Sequence, residues 1–227
     1  MKKKVFLILF FISLTVVVYV IYKNDKDTYL ALGDIIAKGN GYSYNDYVVE
    51  HLKDNKHLNK YYKLLESDLR SNDLINLVEE NHELEEGITI QQALVKANFV
   101  SLSIGSIDLY NHLIYGVDLL TTKEELNEYF LSMFKDLDKL LKLLRKYTPG
   151  KIIVIGFYNP QDKSELESIY TYIDKSYKKI AKRNTCEYIS LKEISSNMDY
   201  LVEGTIYLNE KGHQYIGAKI LQVLKQK

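Results

Sequence analysis

The stretch Thr28-Tyr29-Leu30-Ala31-Leu32-Gly33-Asp34-Ile35-Ile36-Ala37-Lys38-Gly39 decides how this chain is read. Tyr29 to Leu32 is a short apolar run, which reads as a buried strand, and Gly33-Asp34 ends it in a tight turn. Gly39-Asn40-Gly41 reads as loop, and a helix can begin at Tyr44. Strand, sharp turn and helix lift one side chain above the edge of a parallel sheet. The side chain in that place is Ile35.

Working outward, the same alternation recurs. Strands are predicted at Tyr29–Leu32, Lys60–Leu65, Phe99–Ile104, Ile152–Phe157 and Glu187–Leu191. Helices are predicted near Tyr44–Lys53, Asn72–Asn81, Ile90–Ala97, Lys123–Tyr147 and Glu165–Arg183, with a last one from Asn209 onward. Apolar strands separated by helices imply a parallel sheet covered on both faces, with ligands bound outside the carboxyl ends of its strands. The length of 227 residues suits one such domain.

The first residues differ. Lys2-Lys3-Lys4 precedes an uncharged apolar run from Val5 to Tyr22, and Lys23-Asn24-Asp25-Lys26-Asp27 follows it. A helix over that run rises about 27 Å, close to the hydrocarbon thickness of a bilayer. A cleaved signal peptide is the competing reading; the run is long for one, and no Ala-x-Ala-like site follows it. Residues 1–27 are therefore expected to form a signal anchor and transmembrane segment, and residues 28–227 the globular domain. The lysine flank places the N-terminus in the cytoplasm and the domain outside, in a single-pass cell-membrane protein.

Lys+Arg and Asp+Glu both number 30, so charge gives no reason to expect nucleic acid as partner. The single cysteine, Cys186, leaves no disulfide framework and no cysteine-based metal cluster, and it reads as a buried thiol. His51, His57, His82 and His112 form no pair at helical ligand spacing, so neither metal nor other cofactor is expected.

The opening stretch resembles the first block of the SGNH (GDSL-type) hydrolase family, in which Gly-Asp-Ser presents a nucleophilic serine. Phe99 to Asp108 resembles the third block, a strand running into Gly-x-Asn-Asp. Gly105 and Asp108 match it, while Ile107 takes the place of the asparagine that donates to the oxyanion. Gly204 to Gly212 resembles the fifth block, Asp-x-x-His followed by Leu-Asn-x-x-Gly. Leu208, Asn209 and Gly212 match, but Gly204 takes the aspartate position and Tyr207 the histidine position. A less distinct second block, Ser67 to Leu74, puts Asp68 where a glycine amide would serve the oxyanion hole. The resemblance implies a three-layer α/β/α sandwich, flavodoxin-like, on a five-stranded parallel sheet.

Ester hydrolysis of that kind needs a hydroxyl nucleophile, a base for its proton and a group orienting the base. Isoleucine at 35 has no nucleophilic atom, tyrosine at 207 is a poor base near neutral pH, and glycine at 204 orients nothing. One lost oxyanion donor alone costs about 10²–10³ in rate. Ser101, Ser103 and Ser106 have no adjacent base and read as hydrogen-bonded structural serines. His213 lies six residues beyond Tyr207 and reads as a surface or helix-packing residue.

The expectation is a catalytically inactive, membrane-anchored hydrolase-like protein outside the cell. It would bind a small acyl or glycan-like ligand, or an envelope protein; the alternative is an active acyl-ester hydrolase working through non-standard residues. The expected ligand cleft comprises Gly33, Asp34, Ile35, Asp68, Gly105, Ile107, Asp108, Tyr207 and Asn209.

Overall fold

The computed structural model describes residues 26–113, 123–160, 164–195 and 197–226. The anchor expected over residues 5–22 lies outside them; among the described residues no helix is long and apolar enough to cross a membrane.

Strand β1 (Asp27–Gly33) is followed at once by a short helix α1 (Ile35–Lys38) and then by α2 (Tyr44–Asp54). Strand β2 (Leu58–Leu65) and α3 (Ser71–Glu79) come next, then a small hairpin of β3 (Glu83–Glu85) and β4 (Ile88–Thr89), and α4 (Ile90–Lys96). The chain continues through β5 (Phe99–Ser103), α5 (Ser106–Leu113), α6 (Lys123–Tyr147), β6 (Lys151–Ile155), α7 (Ser164–Arg183) and β7 (Glu187–Ile189). A short α8 (Lys192–Ser195), a 3₁₀ turn and α9 (Glu210–Lys225) complete it.

Five strands form one parallel sheet in the order β2-β1-β5-β6-β7. Alternation along β1 assigns the two layers. Leu30 and Leu32 pack with α3, α4, α6 and α7, whereas Tyr29 and Ala31 pack with α1, α2, α8 and α9. That is the period of two of a strand buried on both faces. On α6, Phe130, Met133, Leu137, Leu140, Leu141 and Leu144 are buried at helical spacing, each worth roughly 1.5–3 kcal/mol when fully covered.

All five expected strands are present. Those ending at Ile104, Phe157 and Leu191 in the sequence reading end one or two residues earlier, at Ser103, Ile155 and Ile189. Beyond the sequence reading, the structure adds α1, α5, α8, the 3₁₀ turn and the β3–β4 hairpin. Asp34 accepts a hydrogen bond from the Ile36 amide and caps α1, so helix begins immediately after the strand. The β3–β4 hairpin is too short and too polar to carry a periodic signal, and Gly87 turns it at φ +74°. The start of α2 has a local cause: Ser43 and Asp46 form a reciprocal capping box.

Chain order puts β2 on one side of β1 and β5 on the other. The carboxyl ends of β1 and β5 thus flank a topological switch point, the usual crevice of such sheets. The strands meet closely there: a Cβ built on Gly33 would lie 2.2 Å from the Ser103 carbonyl oxygen. Gly33→Ala must push backbone apart, and should lower stability by at least about 2 kcal/mol in urea unfolding. A parent-like midpoint would show that the two strand ends are not held together.

Candidate functional site

At the switch point Asp34 is fully buried and receives hydrogen bonds from four groups. The Ser106 amide donates at 2.8 Å and its hydroxyl at 2.6 Å to one carboxylate oxygen; the Ile36 amide at 3.2 Å and the Ser103 hydroxyl at 3.4 Å donate to the other. The Asp34 amide in turn donates to the Ser103 carbonyl at 2.9 Å. Burial pushes the carboxyl up to about 6, against the pull of these donors. A second buried network lies below it. The Tyr29 hydroxyl and Ser101 hydroxyl are 2.7 Å apart, both bond Asn45, and Asn45 donates to the Ala37 carbonyl at 2.7 Å. The three serines of this strand end are thus engaged in structure.

Ile35 is the first residue of α1 and half-buried. It lines a cleft with Ile36, Tyr110, Tyr158, Tyr207 and His213, but the cleft holds only about 10 Å³, room for one water. Ligand pockets run to about 300–1,000 Å³. Tyr158 closes the floor, donating from its hydroxyl to the Ile206 carbonyl at 2.7 Å, with Tyr110 edge-on to its ring. Tyr207 stands at the rim with 39% of its surface exposed.

The other positions expected in the cleft do not line it; of that set only Ile35 and Tyr207 do. Ile107 is half-buried on α5. Gly105, at φ +99°, gives way to Tyr177, whose hydroxyl would lie 2.6 Å from an added Cβ. Asp108 is partly buried, its carboxyl raised chiefly by burial, and it accepts a hydrogen bond from the Ser71 amide at the start of α3. Asp68 is exposed on the turn after β2. Gly204 is exposed at φ +71° in the turn between Leu201 and Leu208, with open space where a side chain would stand. Asn209 caps α9, accepting from the Gly212 amide and donating to the carbonyls of Asp199 and Leu201.

His213 differs from its sequence reading in one respect. It packs between helices as expected, yet it also forms a wall of the cleft that Ile35 lines. It is 3% exposed, its Nδ1 has no hydrogen-bond partner among the described residues, and the Tyr44 ring lies 6.4 Å away. Burial holds its imidazole down at about 4, so it is neutral at neutral pH. Tyr110, Tyr158 and His213 were not legible as cleft residues: they come from three separate elements, and no local pattern marks them.

Comparison with known proteins rests on structure alone. No family model matches this sequence, and no curated protein matches it. The lipase Lip_vut3 from a goat rumen metagenome superposes with a TM-score of 0.74 at 16% identity, covering 87% of this chain and 97% of its own. The acetylxylan esterase Axe2 of Geobacillus stearothermophilus gives 0.67 at 17% identity, covering 88% and 95%. The α/β hydrolase LAE5 from the metagenome of Lake Arreo, Spain, gives 0.64 at 17% identity, covering 86% and 94%. The chain shares the α/β fold of these lipases and esterases, helices on both faces of a five-stranded parallel sheet. Catalytic mutants of Axe2 replace a serine, a histidine and an aspartate, the last two three positions apart.

The two buried titrating groups oppose each other. The unfolded Asp34 carboxyl ionises near 3.8 and the folded one near 6, so its stabilisation is present at low pH and is lost as pH rises between those values. The unfolded His213 takes up its proton near 6.5 and the folded one near 4, so its contribution is lost as pH falls through that window. His213→Gln removes only the second effect. Relative to the parent, this variant should gain up to about 3 kcal/mol as pH is lowered from 6.5 to 4. Chemical denaturation at a series of pH values measures the difference; a pH-independent difference would place the imidazole in contact with water.

Proposed function

We propose that this chain is an extracytoplasmic protein, anchored in the membrane by residues 5–22, that has the SGNH hydrolase fold without ester-hydrolase activity and acts by binding. One observation carries the reading. Ile35 sits where the reaction needs a nucleophile, at the mouth of a cleft filled to the size of one water. Acyl transfer requires a hydroxyl within hydrogen-bond reach of a base. The hydroxyls of Ser103 and Ser106 beside this site are committed to the buried Asp34 carboxylate. Such a cleft cannot take an acyl or glycan-like group in this conformation, which favours an envelope protein recognised at the surface over a small ligand.

A second reading, an esterase with substitute residues, is favoured by His213. Its neutral, unpartnered imidazole borders the cleft and would be available as a base. Binding alone is preferred because the cleft lining carries no serine, threonine or cysteine, its hydroxyls being the phenols of Tyr110, Tyr158 and Tyr207.

Activity decides between them. The purified protein should show no labelling by a serine-reactive fluorophosphonate, and acetyl-ester hydrolysis no faster than an Ile35→Ala control. Turnover that persists through purification and disappears in His213→Gln would overturn the proposal in favour of the esterase.

A further inference from the structure

The edge of the sheet opposite the cleft carries a groove of about 590 Å³, lined by Asp27, His51, Leu52, Asn55, His57, Leu221, Leu224 and Lys225. It lies where α2 and α9 end and where β1 begins. Lys151, at the start of β6, belongs to the same edge and donates to the carbonyls of Val223 and Gln226 at the end of α9. The wall of the groove is apolar at Leu52, Leu221 and Leu224. Around it stand exposed Lys53, Lys56 and Lys225 with His51 and His57; the nearby acids are Asp27 and Asp54.

Chain length fixes what this edge meets. Only residues 23–26 separate the apolar run ending at Tyr22 from Asp27, a reach of at most about 18 Å even when fully extended. The headgroup layer takes up roughly 5–8 Å of that on each side of a bilayer. With residues 5–22 in the bilayer, the amino end of β1 stays within that reach of the membrane surface. Strand β1 then rises about 20 Å from Asp27 to Gly33, which carries the cleft to the far side of the domain.

We propose that this amino-end groove is a membrane-docking face, seated on the outer surface of the bilayer that holds the chain, with the phosphates of acidic phospholipids against Lys53, Lys56 and Lys225. The proposal rests on the membrane-anchor reading. Lysines near an anionic surface are drawn to it electrostatically, and the leucines beneath supply the apolar half of an interfacial contact. Docking leaves Ile35, Tyr207 and the turn around Gly204 facing outward, where an envelope partner can reach them.

The test uses the full chain reconstituted into vesicles of phosphatidylcholine alone or mixed equally with phosphatidylglycerol, each containing a quencher-bearing lipid. A fluorophore is placed at Lys53→Cys or at Glu203→Cys, with the parent, whose only thiol is the buried Cys186, as the blank. Quenching at position 53 should exceed that at 203 at least about threefold, given a separation on the scale of the strand length. In the acidic vesicles the pair Lys56→Glu with Lys225→Glu should reduce quenching at 53 about twofold, with no change in neutral vesicles. Equal or stronger quenching at 203, or no response to charge reversal, overturns the docking face while leaving the anchor standing. A chain that fails to float with either vesicle after alkaline extraction overturns the anchor reading, and the docking face falls with it.

Discussion

A buried carboxylate holds the architecture of this protein together. Asp34 ends β1, caps α1 and accepts both the amide and the hydroxyl of Ser106, at the entrance to α5. Those bonds join the two strand ends that flank the switch point. Desolvating a carboxylate is costly, and only several donors in good geometry offset that cost. Removing one partner would leave the charge under-solvated, so the turn after β1, the turn after β5 and the starts of α1 and α5 stand or fall as one unit.

That unit holds the strand ends in place without calling on any reacting group. The scaffold of the turn lies in Gly33, Asp34, Ser103 and Ser106, and none of these has to perform chemistry. Ile35 projects from the same turn and adds apolar contact instead of a hydroxyl. Tyr110 and Tyr158 fill the space in front of it, and the Ile206 carbonyl satisfies the Tyr158 hydroxyl. The crevice at these strand ends is packed, with room for about one water.

The strands and the longer helices were legible because burial imposes periods on the sequence. The two-residue alternation of β1 and the stripe of α6 are read directly from apolar positions. The short α1 was not, since its evidence is one capping bond over four residues. Asp34 could be noticed but not weighed, because its partners at 103 and 106 are brought to it only by the pairing of β1 with β5. The helical pattern of α9 locates His213 on a helix but carries no sign that it borders the cleft. Its position follows from the approach of α9 to the loop at Gly39, where an added Cβ would lie 3.1 Å from the ring. Asp68 shows the reverse: the second block suggested a place beside the reaction centre, and the side chain is exposed on a turn away from the cleft lining.

The central claim is that this strand-end carboxylate is sealed into structure rather than presented for chemistry. Its own titration tests that most directly. With aspartate labelled at the carboxyl carbon and the signal assigned by its loss in Asp34→Asn, the account predicts a chemical-shift midpoint at about 6. A midpoint at the ordinary value of about 3.9 would contradict the account, because burial would then not be what sets the carboxyl's titration.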